Sequence, residues 1–211
     1  MKPRLGATAV ALAVSAALQL PSAAHAEKVV TQDAAGDAQA VTSDVPDGSS
    51  ADAAFAPAPG ETAVDITRTV VAHGNTRLSI TVHLRDLVLT SPNHETYVRL
   101  ATPGPDYTVR VSKSPGSRTV TELGRKSGRD VDCRGLRAKV DGDTDRVSLS
   151  LPTACIESPR WVQVGVGVVR QAEPAPGSTT PVVDAMFADD GHRDGDIRED
   201  DVTKGPRVRR G

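Results

Sequence analysis

The clearest pattern in the chain is strict alternation. Leu78, Ile80, Val82 and Leu84 alternate with Ser79, Thr81, His83 and Arg85. A period of two sends successive side chains to opposite faces, so this run predicts a strand buried on its aliphatic face only. The same signature recurs at Thr96, Val98 and Leu100, at Tyr107, Val109 and Val111, at Leu136, Ala138 and Val140, at Val147, Leu149 and Leu151, and at Val162, Val164, Val166 and Val168. Asp65 to His73 also reads as a strand, Glu27 to Gln32 as a short first strand, and Arg118 to Leu123 as a weaker one. Turn residues separate them: His73-Gly74-Asn75-Thr76, Ser91-Pro92-Asn93, Pro103-Gly104-Pro105 and Ser114-Pro115-Gly116. After the first residues no stretch keeps a helical period. The pattern predicts an all-β domain, an antiparallel β-sandwich of immunoglobulin-like or jelly-roll-like form with about nine to ten short strands.

The first residues differ from the rest. Lys2 and Arg4 precede an uncharged apolar run, Leu5 to Leu20, and Ala24-His25-Ala26 has the small-x-small form of a cleavage site. The run is short for a membrane span and wrongly flanked, and no second such segment follows. The expected organisation is a signal peptide over 1–26, a short strand and a flexible Ala/Asp/Pro-rich segment over 27–63, a sandwich over 64–187, and an acidic loop with a basic tail over 188–211. Within the second segment, Asp33 to Glu61 has few large apolar side chains to offset its ordering entropy. Local turns are expected there at Asp33-Ala34-Ala35-Gly36-Asp37 and Pro46-Asp47-Gly48. No cysteine lies near the cleavage site and Leu151-Pro152-Thr153 lacks the rest of a wall-sorting signal, so free secretion to the extracellular space is expected.

Export changes how the two cysteines read. Cys133 precedes the Leu136–Val140 strand and Cys155 follows the Val147–Leu151 strand, with Asp141-Gly142-Asp143-Thr144-Asp145 as the turn between. Thr144 is the midpoint of the interval, so a hairpin folded there sets the two thiols opposite each other. One structural disulfide is expected, and the absence of Cys-x-x-Cys makes a redox or zinc pair the poorer reading.

Composition narrows the partners. The formal charge is −2, and losing Lys2 and Arg4 leaves the mature chain more acidic. That argues against nucleic acid and against anionic membranes. Aromatic residues are 2% of the chain, namely Phe55, Tyr97, Tyr107, Trp161 and Phe187. The core must therefore be aliphatic. Trp161, Tyr97 and Tyr107 make a ligand platform for sugars only if they share one exposed face, and packing of Trp161 on a neighbouring strand or the disulfide is the simpler expectation. The Arg, Ala, Val, Asp and Pro bias suits a high-GC bacterial genome.

Pro152-x-x-Cys155 followed by Ser158-Pro159-Arg160-Trp161-Val162-x-Val164-Gly165, with Asp65-Ile66, Val70 and His73 upstream, forms a distinctive set. Ala188-Asp189-Asp190-Gly191 and the ending Gly205-Pro206-Arg207-Val208-Arg209-Arg210-Gly211 belong to it. On these residues the chain resembles a group of uncharacterised secreted proteins of actinobacteria. The resemblance implies a secreted, one-disulfide β domain and brings no activity and no functional residues.

Candidate chemistry is sparse. Asp184 to Asp201 is dense in carboxylates, and a calcium loop registered on Asp190 would use Asp194, Asp196 and Asp201. His192 sits at that loop's third position, where an oxygen is expected, and no amphipathic helix flanks it, so a solvated acidic loop is the simpler account. His73, His83, His94 and His192 form no ligand pair, and no Gly-x-Ser-x-Gly elbow or phosphate-binding glycine loop occurs. The basic tail Lys204 to Arg210 is expected to be mobile or folded back on the acidic cluster; adding an edge strand through Val208, or contacting anionic wall polymers, are the alternatives. The chain reads as a non-enzymatic binding or interaction module of unknown partner, with cell-wall polymer and extracellular protein as the candidates. The alternatives are a carbohydrate or cell-envelope binder, a secreted hydrolase whose site is assembled only by the fold, and a protease inhibitor using the loop Glu157 to Arg160.

Overall fold

A computed structural model describes residues 26–42, 54–89, 93–171, 186–193 and 202–211. Residues 1–25 of the expected signal peptide, the expected Pro46–Gly48 turn, and Asp194, Asp196 and Asp201 lie outside them.

The described residues form thirteen strands: β1 Glu27–Gln32, β2 Gln39–Thr42, β3 Ala54–Pro57, β4 Ile66–His73, β5 Arg77–Leu84, β6 His94–Ala101, β7 Tyr107–Lys113, β8 Val120–Arg125, β9 Arg137–Asp141, β10 Arg146–Pro152, β11 Trp161–Gln171, β12 Met186–Asp190 and β13 Lys204–Arg209. A short 3-10 turn covers Thr153–Ile156. Every pairing is antiparallel. One sheet runs β1-β4-β5-β10-β9, and the other β3-β2-β12-β11-β6-β7-β8 with β13 also on β11. The two sheets pack as a β-sandwich, as the alternation predicts.

The aliphatic face of each alternating run meets its counterpart across the sandwich. Leu78, Ile80, Val82, Leu149 and Leu151 come from the first sheet, and Val98, Leu100, Val109, Val164, Val166 and Val168 from the second. All are nearly inaccessible to water. Burying such a side chain contributes about 1.5–3 kcal/mol, so an aromatic-poor core suffices.

Order extends beyond the limits that composition suggests. In the expected flexible segment, β2 pairs with β12 and β3 with β2, and Ala38 is fully buried. These strands lack large side chains but gain backbone partners on the edge of an existing sheet. The basic tail is likewise a strand: β13 aligns Val162 with Val208, which is buried. The edge-strand alternative therefore describes it better than a mobile tail. The strand count exceeds the expected one because these short pieces carry little hydrophobic signal of their own.

Cys133 and Cys155 form the expected disulfide, with Cα atoms 5.4 Å apart. It crosses the open end of the β9–β10 hairpin, where Arg137 pairs with Ser150.

Candidate functional site

Strand direction sorts charge toward opposite ends of the sandwich. β4 ends, β5 begins and β11 begins at the end that also holds the disulfide. There the β6–β7 loop and the segment after the 3-10 turn enclose a cleft of about 360 Å³, lined by Thr102, Pro103, Gly104, Pro105, Pro159 and Arg160 among others.

The cleft wall is held firmly. Glu157 and Ser158 have φ of 61° and 47°, left-handed values that bulky residues adopt only when their surroundings impose them. The Ser158 amide donates to the Thr153 carbonyl at 2.8 Å. The C-terminal strand clamps the same segment, since the Arg210 amide donates to the Arg160 carbonyl at 2.9 Å and its guanidinium to the Ser158 carbonyl at 2.7 Å. Glu157 pairs with Arg125 at 2.5 Å. Two successive left-handed residues make this loop a turn.

Trp161 follows Arg160 and is half-buried. Arg207, reaching across from β13, lies over its ring at 4.4 Å. This cation–π contact follows from the register, in which Trp161 pairs with Arg209 and Gln163 with Arg207. One face of the indole is thus occupied; Arg160, Arg207, Arg209 and Arg210 are exposed around it, as are Glu27, which accepts the Arg209 amide, and Glu157.

The proposed aromatic platform does not assemble. Tyr107 shares the inward parity of Val109 and Val111 and is 1% exposed. Tyr97 points outward like Trp161, but it pairs with Gly167, six residues along β11 from Trp161, on the order of 20 Å away. Its hydroxyl donates to Glu95; burial and this bonded carboxylate push the phenol up to about 12.

The four histidines are dispersed. His73 and His94 are buried, and each places a ring nitrogen 3.2 Å from a backbone carbonyl, Val208 and Ala63 respectively. Burial holds both below the ordinary imidazole value. His83 lies against Arg68, and a glycine, Gly205, makes room for His192. The His192 amide donates to Asp190 at 3.3 Å, while the ring contacts of His73, His83 and His94 are with carbonyls and an arginine.

The opposite end is acidic and has its own pairings. Arg170 pairs with Glu61 and lies over the Phe187 ring at 4.9 Å. Arg85 reaches Asp65 at 3.2 Å. Asp190, the first residue of the expected calcium loop, is buried; it accepts the Thr203 amide at 2.8 Å and meets Arg193 Nε at 3.0 Å. Its carboxylate is engaged in fastening the chain that leads into β13. Asp33, Asp37 and Asp189 also gather at this end, with a carboxylate oxygen from each lying within 4.8 Å of the others. The sequence shows Asp33–Asp37 as a turn, and the Asp-x-x-x-Asp spacing around a glycine is the signal that it carries for the cluster. Comparison with family models, with curated proteins and with solved structures finds no match to this chain.

Proposed function

We propose that this protein is an exported, non-enzymatic binding module that engages an anionic polymer of the cell envelope through the arginine-rich end of the sandwich. The carrying observation is that Arg160 lines the cleft, while beside it Arg207 lies over Trp161, Arg209 pairs with Trp161 and Arg210 bonds the Ser158 carbonyl. Arginine forks match phosphate and carboxylate geometry, and several fixed forks attract a polyanion even on a chain of net negative charge. The histidines support a binding rather than a hydrolytic role, because their ring contacts are with carbonyls and an arginine. The shortage of exposed rings favours charge over sugar stacking.

The test is cosedimentation of the mature protein with insoluble cell-wall material, before and after its anionic polymers are stripped. Retention should require those polymers, fall as salt rises, and drop severalfold in the Arg160→Ser, Arg209→Ser double variant, whose side chains are exposed. Retention unaffected by stripping and by the variant would overturn the reading.

A further inference from the structure

The acidic end contains a feature with a different chemistry, and it stands independently of the anion-binding end. β1 leaves the first sheet at Gln32, and the Asp33 amide donates to the Thr67 carbonyl at 3.1 Å. The chain then reverses at Gly36, whose φ of +87° suits glycine, and Ala38 anchors the return in the core. This reversal sets Asp33 and Asp37 beside Asp189 of β12. Asp189 is 2% exposed, and its two oxygens accept the Ile66 amide at 2.6 Å and the Asp190 amide at 2.8 Å.

Asp65 supplies an independent observation. Its side chain is wholly buried. One oxygen accepts the Gly36 amide inside the reversal at 2.7 Å and faces Arg85, while the other is buried and has no hydrogen-bond partner. Its charge is felt at Asp189. Asp33 Oδ2 is also buried without a hydrogen-bond partner. Arg85 lies against Asp65 at 3.2 Å. Withdrawing several carboxylates from water into one small region is costly. Burial first, and then the neighbouring aspartates, push Asp33 and Asp189 up to about 8.

We propose that Asp33, Asp37 and Asp189, backed by Asp65, bind one calcium ion that ties the β1–β2 reversal to the seam between the two sheets. Calcium takes carboxylate oxygens at about 2.3–2.6 Å, so ligand atoms on one ion lie no more than about 5 Å apart. The 4.8 Å limit on the three oxygens meets that requirement. The ligands come from both sheets: Asp33 follows β1 in one, while Asp37 precedes β2 and Asp189 lies in β12 of the other; Asp65, behind them, precedes β4 of the first. Gly191, next to this site, has room for no large side chain, since an added Cβ would lie 3.2 Å from Ile66 and 3.3 Å from Thr69. The ion would therefore sit where the sheets are already drawn together.

The experiment uses the full mature chain, treated with chelator and exchanged into metal-free buffer. Calcium chloride is then titrated in by calorimetry, and thermal unfolding is followed in parallel. One ion per chain is expected, with a rise in melting temperature. Asp37→Asn and Asp33→Asn should each abolish both effects while keeping the β-sheet circular dichroism of the wild type. Absence of heat and of any melting shift at calcium well above the ~10⁻³ M weak limit of extracellular modules overturns the proposal. So does calcium binding that neither variant weakens, which would put the ion elsewhere, as among the carboxylates beyond Arg193. Metal-free Asp33→Asn that gains stability while the wild type ignores calcium would identify a cluster neutralised by protons instead, and this too overturns it.

Discussion

Tyr107 shows what a single position reveals. Its alternation with Val109 and Val111 puts it on the buried face, and there it lies. Reading it as a ligand platform set residue type against period, and period prevailed because a slip of one residue would expose the whole aliphatic set. Gly165 is the opposite case. The valine alternation reveals that it faces outward but not why it lacks a side chain. The reason is a close approach: an added Cβ would lie 2.6 Å from the Thr203 carbonyl oxygen, which belongs to a segment distant in sequence. His73 carries a prediction. The Nδ1–H donates to Val208, Nε2 has no hydrogen-bond partner, Arg210 opposes a charge on the ring, and Glu27 favours one. Burial dominates and holds the folded-state value below the ordinary 6.5. The unfolded chain therefore takes up the proton first. The contribution of neutral His73 is present in full above about pH 6.5 and is lost as pH falls through the depressed folded value. Urea unfolding should show wild type losing more stability than His73→Gln between neutral pH and about pH 5. Parallel losses would refute this.

Among the elements, those with one buried face were legible and those held by pairing alone were not. β5, β6, β7, β10 and β11 stand where the alternation puts them. β2, β3 and β13 are short and rich in small residues, proline or glycine, and become strands because β12, β2 and β11 offer free edges. Such edge pairing depends on partners far away in the chain, which a local pattern does not contain. The β9–β10 hairpin was legible down to its bridge, since turn chemistry and equal arm lengths together fix which residues meet at its mouth. Closing this loop, with its sequence separation of 22, contributes ~3 kcal/mol in the chain-entropy model. The Cys133→Ser, Cys155→Ser double variant should lose about that much in denaturant unfolding while keeping its sheet content. A loss within about 0.5 kcal/mol of zero, the range of an ordinary surface substitution, would mean the bridge constrains little.

Taken as one body, the protein carries its chemistry at its two ends. Antiparallel strands bring the Trp161 start of β11, the Arg209 end of β13 and the Cys155 turn to one pole, and Asp33, Asp65, Glu61 and Arg170 to the other. The net charge of −2 does not show this arrangement, because a sum carries no positions. Neither pole was legible as a unit: the arginines come from two segments nearly fifty residues apart, and the carboxylates from three. Trp161 is the single tryptophan of the chain and sits under Arg207 at the basic pole, so its emission reports on that pole alone. The decisive measurement is titration of the mature protein with a soluble anionic wall polymer while this emission is recorded. A saturable change that salt reverses and that Arg160→Ser, Arg209→Ser weakens is predicted. Emission that stays constant while the polymer binds, or no binding at low salt, would contradict recognition at the arginine end.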